Sequence, residues 1–275
     1  MESGIIKFIN SGSNPLVKEV VRLQLKKRAR DESGLFVIEG FRENKRALEA
    51  GVKFEKLLYS PDWFLKDSNE ELIKLAQDAG TELVEVSKGV FSKMSYRDRP
   101  DGFISIAHQL DAKLEDIEVK KEDIFLVVEQ IEKPGNLGTL LRGCDATDVA
   151  GLIVCEPVTD VFNPNVVRAS TGALFNVPLA VCKSSKEAIA WLKKNDIKIF
   201  STTPHTENIY WNTNFKTGGP IAIVAGAEQY GLTETWLKDS DELVKLPMLG
   251  SADSLNIAVS SIVCVYEALR QRRQE

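Results

Sequence analysis

The stretch IFLVVEQIEKPGNLGTLLR, residues 124–142, decides the fold because it joins a continuous apolar run to a helical pattern through a Pro-Gly turn. We predict a buried strand over Ile124 to Val128 and a helix over Thr139 to Ala146. The same succession continues along the chain, with strands predicted over 151–155, 197–201 and 221–225 and helices over 184–194 and 254–273. Strands that alternate with helices imply an α/β fold with a largely parallel sheet that is covered on both faces.

A charged segment divides the chain into two predicted domains. Residues 111–123, DAKLEDIEVKKED, lie between two apolar blocks and have the composition of a linker. The block before it alternates short apolar runs with helical patterns that stop at glycines, among them Gly51 and Gly80. We therefore predict a small α/β domain over 1–110, the linker over 111–123, and a domain with the parallel sheet over 124–275.

The composition is that of a globular protein and excludes several classes. Of the 275 residues, 43% are hydrophobic and 27% are charged, which excludes a wholly disordered chain. The longest apolar runs are far shorter than the roughly 20 residues that a membrane span needs. The start, MESGIIKFIN, lacks the pattern of a secretory leader, so we predict a cytoplasmic protein.

The cysteines and histidines give no sign of a metal site. The four cysteines are widely spaced and form no CxxC pair, so neither a disulfide framework nor a zinc ribbon is expected. Only two histidines are present, His108 and His205, and no HExxH motif occurs. We predict that no metal is bound and that both histidines are ordinary surface or hydrogen-bonded residues.

The net charge of −5 conceals a basic N-terminal part. Residues 1–60 carry 12 Lys and Arg against 8 Asp and Glu, whereas the rest of the chain is acidic. The basic residues concentrate in 18–30, where apolar spacing indicates one amphipathic helix with a basic face. Such a face can bind a phosphate backbone or can simply be a solvated surface. The candidate RNA-binding residues are Lys18, Arg22, Lys26, Lys27, Arg28 and Arg30.

Three loops of the second domain stand out because the usual nucleotide-binding fingerprints, GxGxxG and GxxxxGK[ST], are absent. They are residues 132–142, 223–232 and 246–256. Each has an ordinary explanation, since Asn136 and Ser254 can cap helices and Arg142 can lie on a helix surface. Glu228, directly after a predicted strand, is as well explained by a helix N-terminus as by a site.

Taken together, the three loops resemble a known family. NLGTLLR, IVAGAEQYGL and LPMLGSADSLN are similar to the three signature motifs of the SpoU (TrmH) class of RNA 2′-O-ribose methyltransferases, in the SPOUT superfamily. Residues 165–178 resemble the family's segment between motifs. The N-terminal stretches NPLVK, KRAR and FVIEG resemble the substrate-binding domain of ribosomal RNA members. One departure is Asp101, in Pro100-Asp101-Gly102, where the family often has Gln.

The resemblance implies a fold that periodicity does not show. The second domain would be a parallel-sheet SPOUT domain with a deep trefoil knot, although knots are rare in proteins. The first would be a ribosomal-protein-like RNA-binding domain. The resemblance also implies an S-adenosylmethionine cofactor and a homodimer with the site near the subunit interface. The cofactor-binding residues would be Gly226, Leu246, Leu255, Met248 and Thr202.

The resemblance assigns the chemistry to Arg142, Asn136, Glu228, Ser254 and Asn256. A ribose 2′-hydroxyl must be aligned and lose its proton, which requires no histidine. Arg142 is the family's proposed base, but a guanidinium that stays protonated can equally hold a phosphate and stabilise the developing alkoxide. The expected substrate is ribosomal RNA, with the large subunit and a guanosine favoured. The alternatives are a transfer RNA 2′-O-methyltransferase and an inactive ribosome-associated RNA-binding protein.

Overall fold

The computed structural model describes residues 7–65 and 69–273, which form two compact units. One unit is Met1–Leu110 with Phe162–Phe175, and the other is Asp111–Val161 with Asn176–Glu275. The segment 162–175, which we assigned to the second domain from the sequence, therefore belongs to the first unit. Residues 1–6, on which the leader prediction depends, lie outside the described residues. No helix among the described residues is long and apolar enough to cross a membrane.

The first unit is built on a five-stranded mixed sheet. Its strand order is β1-β4-β3-β5-β2, and β5 runs antiparallel to both of its neighbours. Packed with the sheet are α1 to α5 and, from later in the chain, α7. The strands are β1 Lys7–Ile9, β2 Leu35–Glu39, β3 Phe54–Tyr59, β4 Glu82–Val86 and β5 Phe103–His108; the helices are α1 Pro15–Leu25, α2 Lys27–Ser33, α3 Phe41–Glu49, α4 Asn69–Asp78, α5 Lys88–Met94 and α7 Pro164–Ser170.

The basic segment 18–30 is two helices rather than the single helix that we predicted. α1 begins where Asn14 accepts a hydrogen bond from the backbone N–H of Leu16 and Pro15 occupies the first helical position. It ends at Lys26, whose extended backbone separates it from α2. The apolar spacing was correct for α1, but it carried no signal for the break because Lys26 is a good helix former.

The second unit is built on a parallel sheet, as the sequence predicted. Its strand order is β11-β9-β10-β6-β7-β8, and every neighbouring pair is parallel. The α/β prediction is thus confirmed, while the trefoil knot stays a prediction. The strands are β6 Ile124–Glu129, β7 Gly151–Cys155, β8 Leu179–Cys182, β9 Lys198–Thr202, β10 Ile221–Ala225 and β11 Glu242–Val244; the helices are α6 Pro134–Thr147, α8 Ser185–Lys194, α9 Glu234–Asp239 and α10 Ile257–Arg273.

Strand order in this sheet creates a crevice between β6 and β10. From β6 the chain builds outward through β7 and β8, and it later returns to the other side of β6 through β9 and β10. Loops that follow β6 and β10 therefore leave the same edge of the sheet and diverge, which is where α/β sheets bind ligands. Residues of β6, β7 and β10 are almost all buried, so a core on both faces holds this edge in place.

Two helices begin elsewhere than predicted, and both changes affect site residues. α6 begins at Pro134 instead of Thr139, so Asn136 lies in its first turn and is not its cap. α10 begins at Ile257 instead of Ser254, so Ser254 lies in the preceding loop. Proline at a first helical position costs no hydrogen bond, which explains the earlier start of α6.

Candidate active site

One hydrogen-bonded chain joins the three motif loops at the carboxyl edge of the second sheet. The amide Nδ2 of Asn256 donates to Oδ1 of Asn136 at 3.0 Å. The Nδ2 of Asn136 in turn donates to Oε1 of Glu228. Each residue comes from a different loop, and an amide can donate and accept at once. The three predicted residues are thus brought together, and each fixes the orientation of the next.

Lys133 completes this chain, although the sequence argument gave it no role. Its Nζ lies 2.9 Å from Oε2 of Glu228. The Glu228 side chain is only 15% exposed, whereas that of Lys133 is 69% exposed, so the lysine covers the carboxylate from the solvent side. The hydrogen bond to Glu228 raises the pKa of Lys133. One carboxylate oxygen of Glu228 therefore accepts a hydrogen bond from Asn136, and the other faces the ammonium group of Lys133 in an ion pair.

Asn256 also has a structural role at the start of α10. Its Oδ1 accepts a hydrogen bond from the backbone N–H of Ala258 at 3.0 Å, and its carbonyl accepts one from Ser260. These are the contacts of a helix N-cap. Ser254 also offered a cap for this helix, but Asn256 occupies the cap position. Ser254 lies in the loop two residues earlier with an exposed side chain.

A cleft of about 610 Å³ opens beside these residues. The loops after β9 and β10 and the loop before α10 form its walls. All five predicted cofactor residues line it, namely Thr202, Gly226, Leu246, Met248 and Leu255. Glu228, Ser254 and Asn256 line it too. Residues that we did not predict, including Lys133, His205 and Tyr230, also lie at the cleft.

Gly226 is required at the base of this cleft by close backbone contacts. A Cβ atom there would lie 2.1 Å from the carbonyl carbon of Gly231 and 2.2 Å from the backbone nitrogen of Leu232. The turn 227–231 is closed by a hydrogen bond from Gly231 N–H to the Ala227 carbonyl at 2.8 Å. Only glycine therefore lets this turn fold back against the end of β10.

The cleft has the features that S-adenosylmethionine requires. Apolar side chains such as Leu232, Leu246 and Ile257 offer a surface for an adenine ring, and exposed backbone at the turns offers hydrogen-bonding groups. The glycine-built turn keeps one wall free of side-chain bulk. The Thr202 hydroxyl already donates to the Val224 carbonyl at 3.0 Å, so its contribution would be to hold the wall.

Arg142 is not brought to this cleft within one chain. It lies on α6 with an exposed side chain and is not among the residues that line the cleft. Six residues along a helix correspond to a rotation of about 240°, so Arg142 and Asn136 lie on different faces of α6. The structure therefore groups Asn136, Glu228, Ser254 and Asn256, and it leaves Arg142 apart.

The six predicted RNA-binding residues fall into three groups. Lys18, Arg22 and Lys26 are exposed along α1 and at its end. Lys27 and Arg28 are exposed but pair with Asp31 and Glu32 at 2.7 and 2.6 Å.

Arg30 was wrongly placed on the exposed basic face. It is 2% exposed, and its Nη1 donates to the carbonyls of Leu23 and Gln24. Those contacts hold the end of α1 against α2, so its guanidinium has a structural task. Helical spacing could not show this, because the break at Lys26 turns α2 in another direction.

Asp101, the departure from the family pattern, also has a structural role. Its Oδ2 accepts a hydrogen bond from the backbone N–H of Phe41, at the start of α3, at 2.8 Å. The carboxylate lies 3.5 Å from Arg97, which is also paired with the buried Glu43 at 2.9 Å. Burial raises the pKa of Asp101. Its carboxylate thus stabilises the N-terminus of a helix.

Comparisons with known proteins agree with this arrangement. Residues 123–266 match the SpoU rRNA Methylase family, and residues 14–105 match the MRM3-like substrate binding domain. The chain is 31% identical over 74% of its length to a 23S rRNA (guanosine-2′-O-)-methyltransferase RlmB from Ralstonia nicotianae, covering 82% of that protein. It is 29% identical over 88% of its length to a 23S rRNA (uridine(2479)-2′-O)-methyltransferase from Streptomyces viridochromogenes, covering 85% of it.

Solved structures give the same result. An AdoMet-bound rRNA methyltransferase from Sinorhizobium meliloti superposes with a TM-score of 0.88 at 30% identity, over 96% of this chain and 98% of that one. The family match covers just over half of the chain and includes all three motif loops. The resemblance inferred from the motifs is therefore confirmed, and the chain belongs to the SpoU rRNA methylase family.

Proposed function

We propose that this protein transfers the methyl group of S-adenosylmethionine to a ribose 2′-hydroxyl of large-subunit ribosomal RNA, with guanosine as the favoured target. The observation that carries the proposal is the Asn256–Asn136–Glu228 chain at the edge of the cleft. A family of RNA methylases supplies the reaction class, and the AdoMet-bound relative supports the cofactor. A ribosomal substrate also agrees with the cytoplasmic location that we predict.

The choice of ribosomal RNA as the substrate rests on the similar proteins described above and on the family match of the first unit. The Ralstonia and Streptomyces relatives are both named for 23S rRNA, one at guanosine and one at uridine. Residues 14–105 match a substrate-binding domain, which supports an RNA partner. These observations favour large-subunit ribosomal RNA over transfer RNA as the substrate. The choice of guanosine as the target base is the most specific step of the proposal.

The cleft residues would hold the cofactor largely through backbone and apolar contacts. Bound S-adenosylmethionine supplies an electrophilic methyl group on a sulfonium centre. Gly226 leaves room beside the turn, while Leu246, Leu255 and Met248 provide the apolar walls. The ion pair between Glu228 and Lys133 leaves no unpaired carboxylate at this edge of the sheet.

The polar chain of residues would position the ribose. Because Glu228 fixes Asn136 and Asn136 fixes Asn256, their free lone pairs and N–H groups point in set directions before RNA arrives. Such preorganisation lowers the barrier for an in-line attack by the 2′-oxygen. Ser254, exposed in the adjacent loop, would complete the contacts to the ribose. As the 2′-oxygen takes the methyl group, the carbon–sulfur bond would break, S-adenosylhomocysteine would leave, and the hydroxyl proton would pass to water or to the neighbouring phosphate.

Arg142 would hold the phosphate next to the target ribose and stabilise the developing alkoxide. Its guanidinium stays protonated, which suits a clamp better than a base. Because Arg142 lies away from the cleft of its own chain, this role calls for a second copy of the protein. We infer a homodimer in which Arg142 of one protomer serves the cleft of its partner.

An exposed apolar stripe supports the homodimer. Val259 and Tyr266 lie seven residues apart on α10, on one face of the helix, and are 48% and 53% exposed. Ile262, three residues after Val259 and four before Tyr266, lies beside them on α10 and packs on α6, where a Cβ on Gly143 would meet it at 2.2 Å. A second copy that covers the stripe would therefore lie beside α6 and Arg142.

The test is transfer of tritium from labelled S-adenosylmethionine to unmodified cellular RNA. Large ribosomal, small ribosomal and transfer RNA are separated and digested to nucleosides after the reaction. We expect label in 2′-O-methylguanosine from the large ribosomal RNA. Label in another nucleoside of that RNA would overturn the base assignment, and label in transfer RNA would overturn the substrate class.

A negative result is informative if the cofactor is titrated in parallel. Binding of S-adenosylmethionine without transfer to free RNA or to isolated ribosomal particles would contradict the enzymatic proposal. It would leave the alternative of an RNA-binding protein that has lost its activity.

A further inference from the structure

A groove in the first unit runs along α1 and has an apolar floor. Val17, Val21 and Leu25 follow one another at four-residue spacing and therefore share one face of the helix. Val17 is fully buried, but Leu25 at the end of the groove is 67% exposed. The groove has a volume of about 240 Å³. The apolar floor of the groove therefore ends in an exposed side chain that a ligand can contact.

The walls of the groove are cationic. Lys18, Arg22 and Lys26 follow the same four-residue spacing, so a row of charges about 6 Å apart runs beside the apolar row. Lys93 stands at the opposite wall, where its Nζ donates to the Gly12 carbonyl at 2.9 Å. None of the described residues that line the groove is acidic. An apolar floor between cations suits a ligand with flat apolar parts and a regularly charged chain.

We propose that this groove holds a single-stranded segment of the RNA substrate, with a base against Val21 and Leu25 and the neighbouring phosphates on Lys18, Lys26 and Lys93. The inference rests on the proposed function and adds the form of RNA that the first unit takes. In a duplex the bases are stacked inside and cannot reach an apolar floor, whereas an unpaired base can. The cationic rim favours a polyanion over an apolar peptide.

The cations of the groove are also the ones available for phosphates. Lys18 and Lys26 have no ion pair among the described residues, and Arg22 lies 3.4 Å from Glu32. Lys27 and Arg28, just beyond the groove, are paired with Asp31 and Glu32. Lys26 and Lys27 carry the same charge but differ in place and pairing, since Lys27 is paired with Asp31. Lys27 therefore provides a matched control for Lys26.

The first test separates base contacts from phosphate contacts. The full-length protein is titrated by fluorescence anisotropy with a labelled single strand of about 12 nucleotides, with the same strand carrying abasic sites, and with a hairpin duplex. We expect the single strand to bind at least about tenfold tighter than the duplex. Leu25→Ser should lower the affinity for the intact strand about fivefold and leave the affinity for the abasic strand unchanged.

The second test counts the phosphates. For a single strand, each phosphate contact adds about 0.7 to the slope of log affinity against log salt concentration. Lys26→Ala should therefore reduce the slope by about 0.7, and Lys18→Ala should do the same. The Lys27→Ala control removes one charge as well, but it should change the slope much less because Lys27 is paired with Asp31. Circular dichroism melting checks that each variant is folded.

Several outcomes would overturn the groove proposal. The first is equal affinity for the intact and the abasic strand, and the second is tighter binding of the duplex. The third is an affinity for the single strand that is the same in Leu25→Ser and in the wild type. Its failure is distinguishable from failure of the proposed function, because methyl transfer to ribosomal RNA is measured separately. A Leu25→Ser variant that binds S-adenosylmethionine normally but needs a higher RNA concentration for half-maximal transfer supports the groove.

Discussion

Gly226 is fixed by the backbone that surrounds it, so its replacement should act on cofactor binding. In Gly226→Ala the new methyl group must displace the turn at Gly231, because the contacts near 2.1 Å are to backbone and not to a flexible side chain. We expect affinity for S-adenosylmethionine to fall at least about tenfold, equivalent to about 1.4 kcal/mol. Isothermal titration calorimetry measures this directly.

The matched control is Gly219→Ala, where a Cβ atom would meet nothing within 4 Å. It should bind the cofactor like the wild type. Unchanged affinity in Gly226→Ala would show that the turn rearranges freely, and the assignment of this wall to the cofactor would be withdrawn.

Arg142 should affect transfer without affecting cofactor binding. It lies outside the cleft of its own chain, so Arg142→Ala should lower kcat at least about 100-fold while the Kd for S-adenosylmethionine stays within about twofold. Single-turnover methylation and a parallel binding titration measure the two quantities. Arg273→Ala, which removes another exposed arginine at the end of α10, serves as the control. Near-normal turnover in Arg142→Ala would contradict both proposed roles.

At the scale of secondary-structure elements, the start of α10 combines a cap with a site contact, and two substitutions separate them. Asn256→Asp keeps an oxygen for the N–H of Ala258 but loses the Nδ2 donor to Asn136. Its free energy of unfolding should stay near that of the wild type while methyl transfer falls. Asn256→Ala loses both contacts and should also lose about 1 kcal/mol of stability.

Urea denaturation and single-turnover methylation together check this separation. Equal activity of Asn256→Asp and the wild type would show that the contact with Asn136 is not needed. A large loss of stability in Asn256→Asp would instead make Asn256 a structural residue only.

The elements that sequence predicted well are those with continuous patterns. The runs at 124–128, 151–155 and 221–225 are strands because parallel strands buried on both faces consist of apolar residues. The short strand β11, Glu242–Val244, gave no such signal, since three residues with a charged start show no period. Its place depends on pairing with β9, which is a tertiary contact.

The site shows the same division between local and tertiary information. The meeting of Asn136, Glu228 and Asn256 followed from the motif resemblance. The pairing of Lys133 with Glu228 did not, because it joins residues 95 positions apart in the chain and depends on the neighbouring strands β6 and β10. The burial of Arg30 was missed for a similar reason, since it follows from the break between α1 and α2.

At the scale of the whole molecule, the homodimer is open to a direct test. Wild-type protein at micromolar concentration should sediment as a dimer. The double variant Val259→Glu/Tyr266→Glu should sediment as a monomer and lose methyl transfer, because it places charges in a covered apolar stripe. Val158→Glu changes another residue of the second unit that is 66% exposed, and it should leave the dimer intact. A wild-type monomer with full activity would contradict the proposal.

The return of residues 162–175 to the first unit sets an order for folding during synthesis. Phe36 contacts Phe162 and Phe175, with ring centroids 5.0 and 6.4 Å apart, and Arg46 donates to the Thr171 carbonyl at 3.0 Å. The N-terminal unit therefore lacks part of its core until the ribosome has made residue 175, when β6 and β7 already exist. A nascent chain released at residue 110 would present Phe36 to solvent and to chaperones.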